Sequence, residues 1–224
     1  MISDGYCFGQ NSNGETGNNQ TLINTIYYPS YPICNNLELI QISVGNGGHS
    51  CGLDKYYQAY CWGSNSRGQL GYSSTSLSNS YCPILVNTTN ITTDNIDFLQ
   101  IVTGNNFTLA IDINYYLYAW GDNSKCNLGI GGTITGTVCS PPSPGYSTLP
   151  LLVPTPFKFL NIAAGEYHAC GITTQYQLLC WGSNTDGQVS IIHSIYNQEI
   201  HFLFNIQYFM LFFIHFVFFY CIYS

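Results

Sequence analysis

Charged side chains are scarce in this sequence. They make up 7% of the 224 residues, against about a quarter in an ordinary soluble domain. Lysine and arginine together number 4 against 11 aspartates and glutamates, for a formal net charge of -7. No basic face can be built from so few cations, so a nucleic-acid partner is not expected. The opening MISDGYCFGQ lacks a basic stretch followed by an apolar run, so the sequence does not start on a recognisable secretory signal. Helical periodicity is missing as well. Nucleophile elbow, phosphate loop, zinc-protease motif and paired carboxylates in equivalent settings are all absent, which leaves no candidate catalytic residue and no cofactor site.

Polarity comes instead from Asn, Ser, Thr, Gly and Tyr, a mixture suited to turns and pleated strands, and the expected class is all-β. One segment recurs four times: YCFGQNSNGETG from Tyr6, YCWGSNSRGQLG from Tyr60, YAWGDNSKCNLG from Tyr118 and LCWGSNTDGQVS from Leu179. Its anchors Phe8, Trp62, Trp120 and Trp181 stand 54, 58 and 61 residues apart. A second block precedes each of the last three anchors, as in LIQISVGNGGHSCGLDKYYQAYCWG. It outlines a hairpin, with a polar turn at 54–57, 112–115 and 173–175 and then a strand into the tryptophan. The Gly-x-Asn-x-x-Gly stretch that follows is turn chemistry, because Asn and Gly tolerate positive φ.

The pattern Gly-x-x-His-(Ser/Ala), about ten residues, then Trp-Gly-x-Asn-x-x-Gly-Gln-Leu-Gly resembles the regulator of chromosome condensation repeat. It runs from Asn46 and His49 through Gly71, more weakly from Gly104 to Gly129, and from Gly165 and His168 through Gln188. The resemblance implies roughly one four-stranded blade of a seven-bladed propeller per repeat. It further implies packing and hydrogen-bonding roles for His49 and His168. Trp62, Trp120 and Trp181 read as packing one blade on the next, and Gly63, Gly121, Gly182, Asn65, Asn123 and Asn184 as structural residues of the repeat. Three full units and part of a fourth are expected, an incomplete propeller whose raw edges need cover. The divisions are a truncated first repeat with linker at 1–36, repeats with linkers at 37–98 and 99–156, a broken repeat at 157–190, and an apolar tail at 191–224. Met1 lies five residues before the first block, so the chain is expected to begin mid-unit.

Cys51 with Cys61 and Cys170 with Cys180 are each ten apart at equivalent hairpin positions, and Leu109 and Ala119 replace both members together in the third unit. Joint loss is what a bonded pair predicts. Antiparallel strands would set such residues opposite one another, near a Cα separation of roughly 5.5 Å. The alternative is a metal site using His49 or His168, two residues before a cysteine and on the same strand face. Phe107 replaces that histidine in the third unit, so joint loss fits both readings. The disulfide is favoured, since three ligands leave a tetrahedral site incomplete. The pairing of Cys7, Cys34, Cys82, Cys126, Cys139 and Cys221 does not follow from spacing, which would permit Cys126 with Cys139. Sequons stand at Asn19, Asn87, Asn90 and Asn106.

Residues 200–224, IHFLFNIQYFMLFFIHFVFFYCIYS, are nearly continuous apolar types and long enough, as a helix, to span a bilayer core of roughly 30 Å. A transmembrane anchor, a removable lipid-anchor signal and translated non-coding sequence are the three readings of this tail. The expected function is a non-enzymatic protein-interaction module with an unnamed protein partner, exported or displayed on a membrane if its cysteines are oxidised and cytoplasmic if they are reduced. The alternatives are a fragment of a guanine-nucleotide exchange factor, by resemblance, and a truncated gene product. The variable linkers 72–97 and 130–156 are the expected partner-contact loops.

Overall fold

Each hairpin starts from a side chain that closes its turn. Asp54 Oδ1 accepts the N–H groups of Tyr56 and Gln58, both at 2.9 Å, and Asp112 Oδ1 those of Asn114 and Tyr116 at 2.9 and 2.8 Å. In the last unit Thr173 Oγ1 takes the N–H groups of Gln175 and Gln177 at 3.2 and 3.1 Å. These are Asx and ST turns, in which a short polar side chain replaces a backbone acceptor. A computed structural model describes residues 5–29, 32–34, 37–73, 78–91, 95–130, 145–189 and 221–223.

The strands are β1 (Gly5–Cys7), β2 (Gly9–Gln10), β3 (Thr25–Ile26), β4 (Leu39–Val44), β5 (His49–Asp54), β6 (Ala59–Ser64), β7 (Asn79–Leu85), β8 (Phe98–Thr103), β9 (Phe107–Asp112), β10 (Leu117–Asp122), β11 (Tyr146–Leu152), β12 (Phe159–Ala164), β13 (His168–Thr173), β14 (Leu178–Gly182) and β15 (Cys221–Tyr223). They form two four-stranded meanders, β4-β5-β6-β7 and β8-β9-β10-β11, a three-stranded β12-β13-β14, and the small pairs β2-β3 and β1-β15. This is an all-β, incomplete propeller. Its core lies between sheets: Cys51, Leu53, Ala59 and Cys61 of one blade pack on Phe98, Ile101, Tyr118 and Trp120 of the next. Phe107, Leu109, Ile111 and Ala119 in turn pack on Phe159, Ile162 and Ala169.

Two expectations need correction. The stretches 72–97 and 130–156 are not merely linkers, because each contains the outer strand of its blade, β7 or β11. Pro83 and Pro150 fall in those strands, and a proline that breaks the ladder is tolerated on an edge. Of the tail, the described residues Cys221–Tyr223 are a strand, which pairs antiparallel with β1 so that Cys7 stands opposite Cys221. Residues 190–220, on which the helical and membrane-span readings rest, lie outside the described residues. No helix among the described residues is long and apolar enough to cross a membrane.

Candidate functional site: blade seams and tyrosine-bearing turns

The repeat's tryptophans all act in one way. Trp62 Nε1 donates to the Glu15 carbonyl at 2.8 Å, Trp120 to that of Gln69 at 2.9 Å and Trp181 to that of Asn127 at 3.0 Å. Each acceptor directly follows the Gly-x-Asn-x-x-Gly stretch of the preceding unit, whose last glycine is Cys126 in the third unit. The residue directly opposite the tryptophan in the ladder supplies a second donor to the same oxygen in two seams, Ser50 Oγ at 3.0 Å and Thr108 Oγ1 at 2.9 Å. Ala169 stands there in the third seam and adds none. Trp62 and Trp120 are fully buried, whereas Trp181 is half-buried.

The loop that offers the carbonyl is held by its asparagine. Asn65, Asn123 and Asn184 accept the N–H of the residue five positions on, Leu70, Leu128 and Val189, at 3.1, 3.0 and 2.9 Å. Gly63, Gly121 and Gly182 adopt φ of 95°, 94° and 105°, and a Cβ on Gly63 would strike the Gly48 carbonyl. Glycine is required there on both counts.

An amide lock on the innermost strands forms a further seam contact. Gln41 donates to the Ile101 carbonyl at 3.0 Å and accepts the Ile101 N–H at 3.1 Å. Gln100 does the same to Ile162, at 3.0 and 2.9 Å. The residues just before these glutamines, Ile40 and Leu99, sit at bulges in the ladder, and so does Leu160 before Asn161; all three side chains point out of the core. The position shared by Gln41, Gln100 and Asn161 was readable from the aligned repeats, although its reach across the seam was not.

Cys51 and Cys61 face each other in the β5–β6 ladder, as do Cys170 and Cys180 in β13–β14, and both pairs are disulfides. Their Cα separation of 4.0 Å is shorter than the expected value near 5.5 Å, because directly opposed residues of a narrow pair lie closer than those of a hydrogen-bonded pair. Cys34 bonds to Cys82 of β7, 48 residues away, a pairing that spacing did not reveal. Cys7 and Cys126 are also disulfide-bonded, and Cys139 lies outside the described residues.

His49 Nε2 pairs with Thr108 Oγ1 at 3.0 Å across the seam. Complete burial pulls its ring pKa down to about 3, so it is neutral. No group of three or more metal-binding side chains occurs among the described residues. His168, at the same position in the last unit, is half-buried.

The turns expose what the seams do not use. Tyr57, Tyr115 and Tyr176, each three residues after the turn-closing Asp54, Asp112 or Thr173, adopt φ of 63°, 68° and 61°. Their rings are exposed, together with Tyr56 and Tyr116. The Tyr57 and Tyr115 carbonyls accept the N–H of Phe98 and Phe159, so each turn also starts the next blade. Lys158 Nζ lies 4.5 Å over the Tyr116 ring.

The sequence model of the regulator of chromosome condensation (RCC1) repeat matches residues 58–111 and 116–172, and a second model with the same description matches 159–188. The chain belongs to the RCC1 repeat family. Relatives of this RCC1-repeat chain include a Dictyostelium discoideum bifunctional serine/threonine-protein kinase/NEDD4-like E3 ubiquitin-protein ligase, 29% identical over 55% of this chain and 7% of its own length. The human probable E3 ubiquitin-protein ligase HERC4 is 27% identical over 74% of this chain and 14% of its own. Among solved structures, Prp20p of Saccharomyces cerevisiae matches with a TM-score of 0.66 at 24% identity, over 84% of this chain and 43% of that one. Human WBSCR16 matches with a TM-score of 0.61 at 18% identity, over 80% and 45%. The chain thus spans under half of each of these proteins, and the structural likenesses establish the propeller fold alone.

Proposed function

We propose that this chain is a non-enzymatic protein-interaction module, exported or displayed on a membrane, whose binding surface is the row of tyrosine-bearing turns. The observation that carries the reading is the left-handed backbone of Tyr57, Tyr115 and Tyr176. A bulky L-residue there costs about 1 kcal/mol relative to glycine, and the Tyr176 ring, 81% exposed, returns little of it as burial. Fold stability therefore does not account for tyrosine at 176, and strained, exposed aromatic residues cluster where proteins bind. The export part is supported by disulfides such as Cys34–Cys82, Cys51–Cys61 and Cys170–Cys180, which persist in oxidising compartments. What Prp20p and the E3 ligases do as whole proteins is not carried over to this chain.

The test is crosslinking and affinity isolation of the protein in its native cells, with the triple variant Tyr57→Asn, Tyr115→Asn, Tyr176→Asn beside the unaltered chain. Asparagine accepts the left-handed backbone, so the turns keep their geometry in the variant. Recovery of a reproducible partner should fall ten-fold or more in the variant; undiminished recovery would move the binding surface elsewhere. Free Cys51 and Cys61 thiols in native material would sink the export part.

A further inference from the structure

We infer that the chain carries N-linked glycans at Asn19 and Asn87, and not at its other two sequons. The inference rests on the export reading above and adds to it a modification that the fold sorts by site. The four Asn-x-Thr triplets are alike in sequence and differ in what their side chains do.

Asn19 is exposed and adopts φ of 61°. Its backbone N–H is tied to the Tyr81 carbonyl of the outer strand at 3.0 Å and its own carbonyl accepts the Thr21 N–H at 3.1 Å. Among the described residues its side-chain amide makes no hydrogen bond, and Thr21 is exposed. Asn87 is anchored by its N–H to the Gly71 carbonyl at 2.9 Å. Its Oδ1 accepts both the N–H and the hydroxyl of exposed Thr89, at 3.0 and 2.7 Å. That leaves Nδ2, the atom a glycan occupies, without a hydrogen bond among the described residues.

The other two are committed elsewhere. Asn90 Nδ2 donates to the Pro150 carbonyl of the next blade at 2.9 Å. Asn106 Oδ1 accepts from Gln69 Nε2 at 3.1 Å, and a methyl on Gly47 would strike it. The hydroxyl of that sequon, Thr108, is fully buried and bonded to the Gln69 carbonyl and to His49. A glycan at Asn106 would have to coexist with a closed seam, and one at Asn90 would have to sit on an amide nitrogen whose remaining hydrogen is held by the next blade.

In the transfer, a C–N bond forms between the asparagine Nδ2 and the anomeric carbon of a lipid-diphosphate-linked oligosaccharide. The anomeric C–O bond breaks, the lipid diphosphate leaves with the electron pair, and one amide proton passes to the transferase's base. No oxidant or reductant is involved.

The test is non-reducing peptide mapping of the full chain from its native source after release of N-glycans by amidase in 18O water. Expected are 18O-marked aspartate at 19 and 87, none at 90 or 106, and crosslinked Cys51/Cys61. Crosslinks with unmarked Asn19 and Asn87 overturn the glycan assignment and leave export standing. Free thiols without marks overturn both, and marks confined to 90 or 106 overturn the sorting. As an independent check, the chain secreted from a eukaryotic host should lose one electrophoretic step in Asn19→Gln and one in Asn87→Gln, and none in Asn106→Gln. A step lost in Asn106→Gln alone would refute the assignment.

Discussion

His49 ties stability to pH through one buried ring. Its pKa is depressed from 6.5 to about 3 by burial, so the unfolded chain takes up a proton below pH 6.5 that the folded chain refuses. Stability from this group is therefore complete above pH 6.5 and falls as pH drops toward 3, by up to about 1.4 kcal/mol per pH unit. Between pH 7.5 and 5 the loss should be about 2 kcal/mol, a range in which carboxylates contribute little. His49→Phe is the matching control, since Phe107 fills the equivalent site fully buried in the next blade. Denaturant unfolding at the two pH values should show the loss in the unaltered chain and largely abolish it in the variant; equal losses would mean the ring is hydrated. The tryptophans supply a second contrast at this scale. Trp120→Phe removes a fully buried indole and its bond to Gln69 and should cost about 2–3 kcal/mol by thermal or denaturant unfolding, while half-buried Trp181→Phe should cost less than half of that.

At the level of the element, the hairpin turn sets a strained tyrosine between two well-made strands. Tyr176→Asn keeps the Thr173 cap, loses little burial because Tyr176 is 81% exposed, and relieves the left-handed strain. It should raise stability by about 0.5–1 kcal/mol, and a loss instead would show that the ring packs in solution. These hairpins were legible in the sequence because their signals are local: Asp54, Asp112 and Thr173 close the turns, alternation marks the flanking strands, and Trp-Gly-x-Asn marks the loop. The outer strands β7 and β11 were not, since Pro83 and Pro150 break the pattern and an edge strand half-buried along its length shows no alternation. Nor were the seam contacts. The reach of Gln41 to Ile101, or of Trp120 to the Gln69 carbonyl, exists only once two sheets stack, and nothing near either residue announces its partner. The Cys51/Cys61 and Cys170/Cys180 pairs could be read from the sequence because one hairpin holds both members. Cys34 and Cys82 could not, because the seam between two units brings them together.

The whole molecule is a series of like seams, and a chain built this way gains stability from nearest neighbours rather than from one shared centre. Its seams are not equal. Between the second and third units a glutamine lock closes the inner strands and a large apolar cluster lies between the sheets. The first unit contributes the two-stranded β2-β3 pair, a Phe8 where the others have tryptophan, and a small cluster of Cys7, Ile33, Leu39 and Trp62. The Cys34–Cys82 bond ties that seam covalently. Closing a loop of 48 residues stabilises by at most about 4 kcal/mol on the chain-entropy account, against somewhat under 3 for each ten-residue hairpin bond. The double variant Cys34→Ser, Cys82→Ser should therefore release the first unit before the rest. Hydrogen exchange should quicken at least ten-fold in residues 5–29 while β8–β10 and β12–β13 keep their protection. The corresponding loss on replacing Cys170 and Cys180 should stay within the last blade. Uniform acceleration along the chain in either variant would mean that the seams unfold as one cooperative unit.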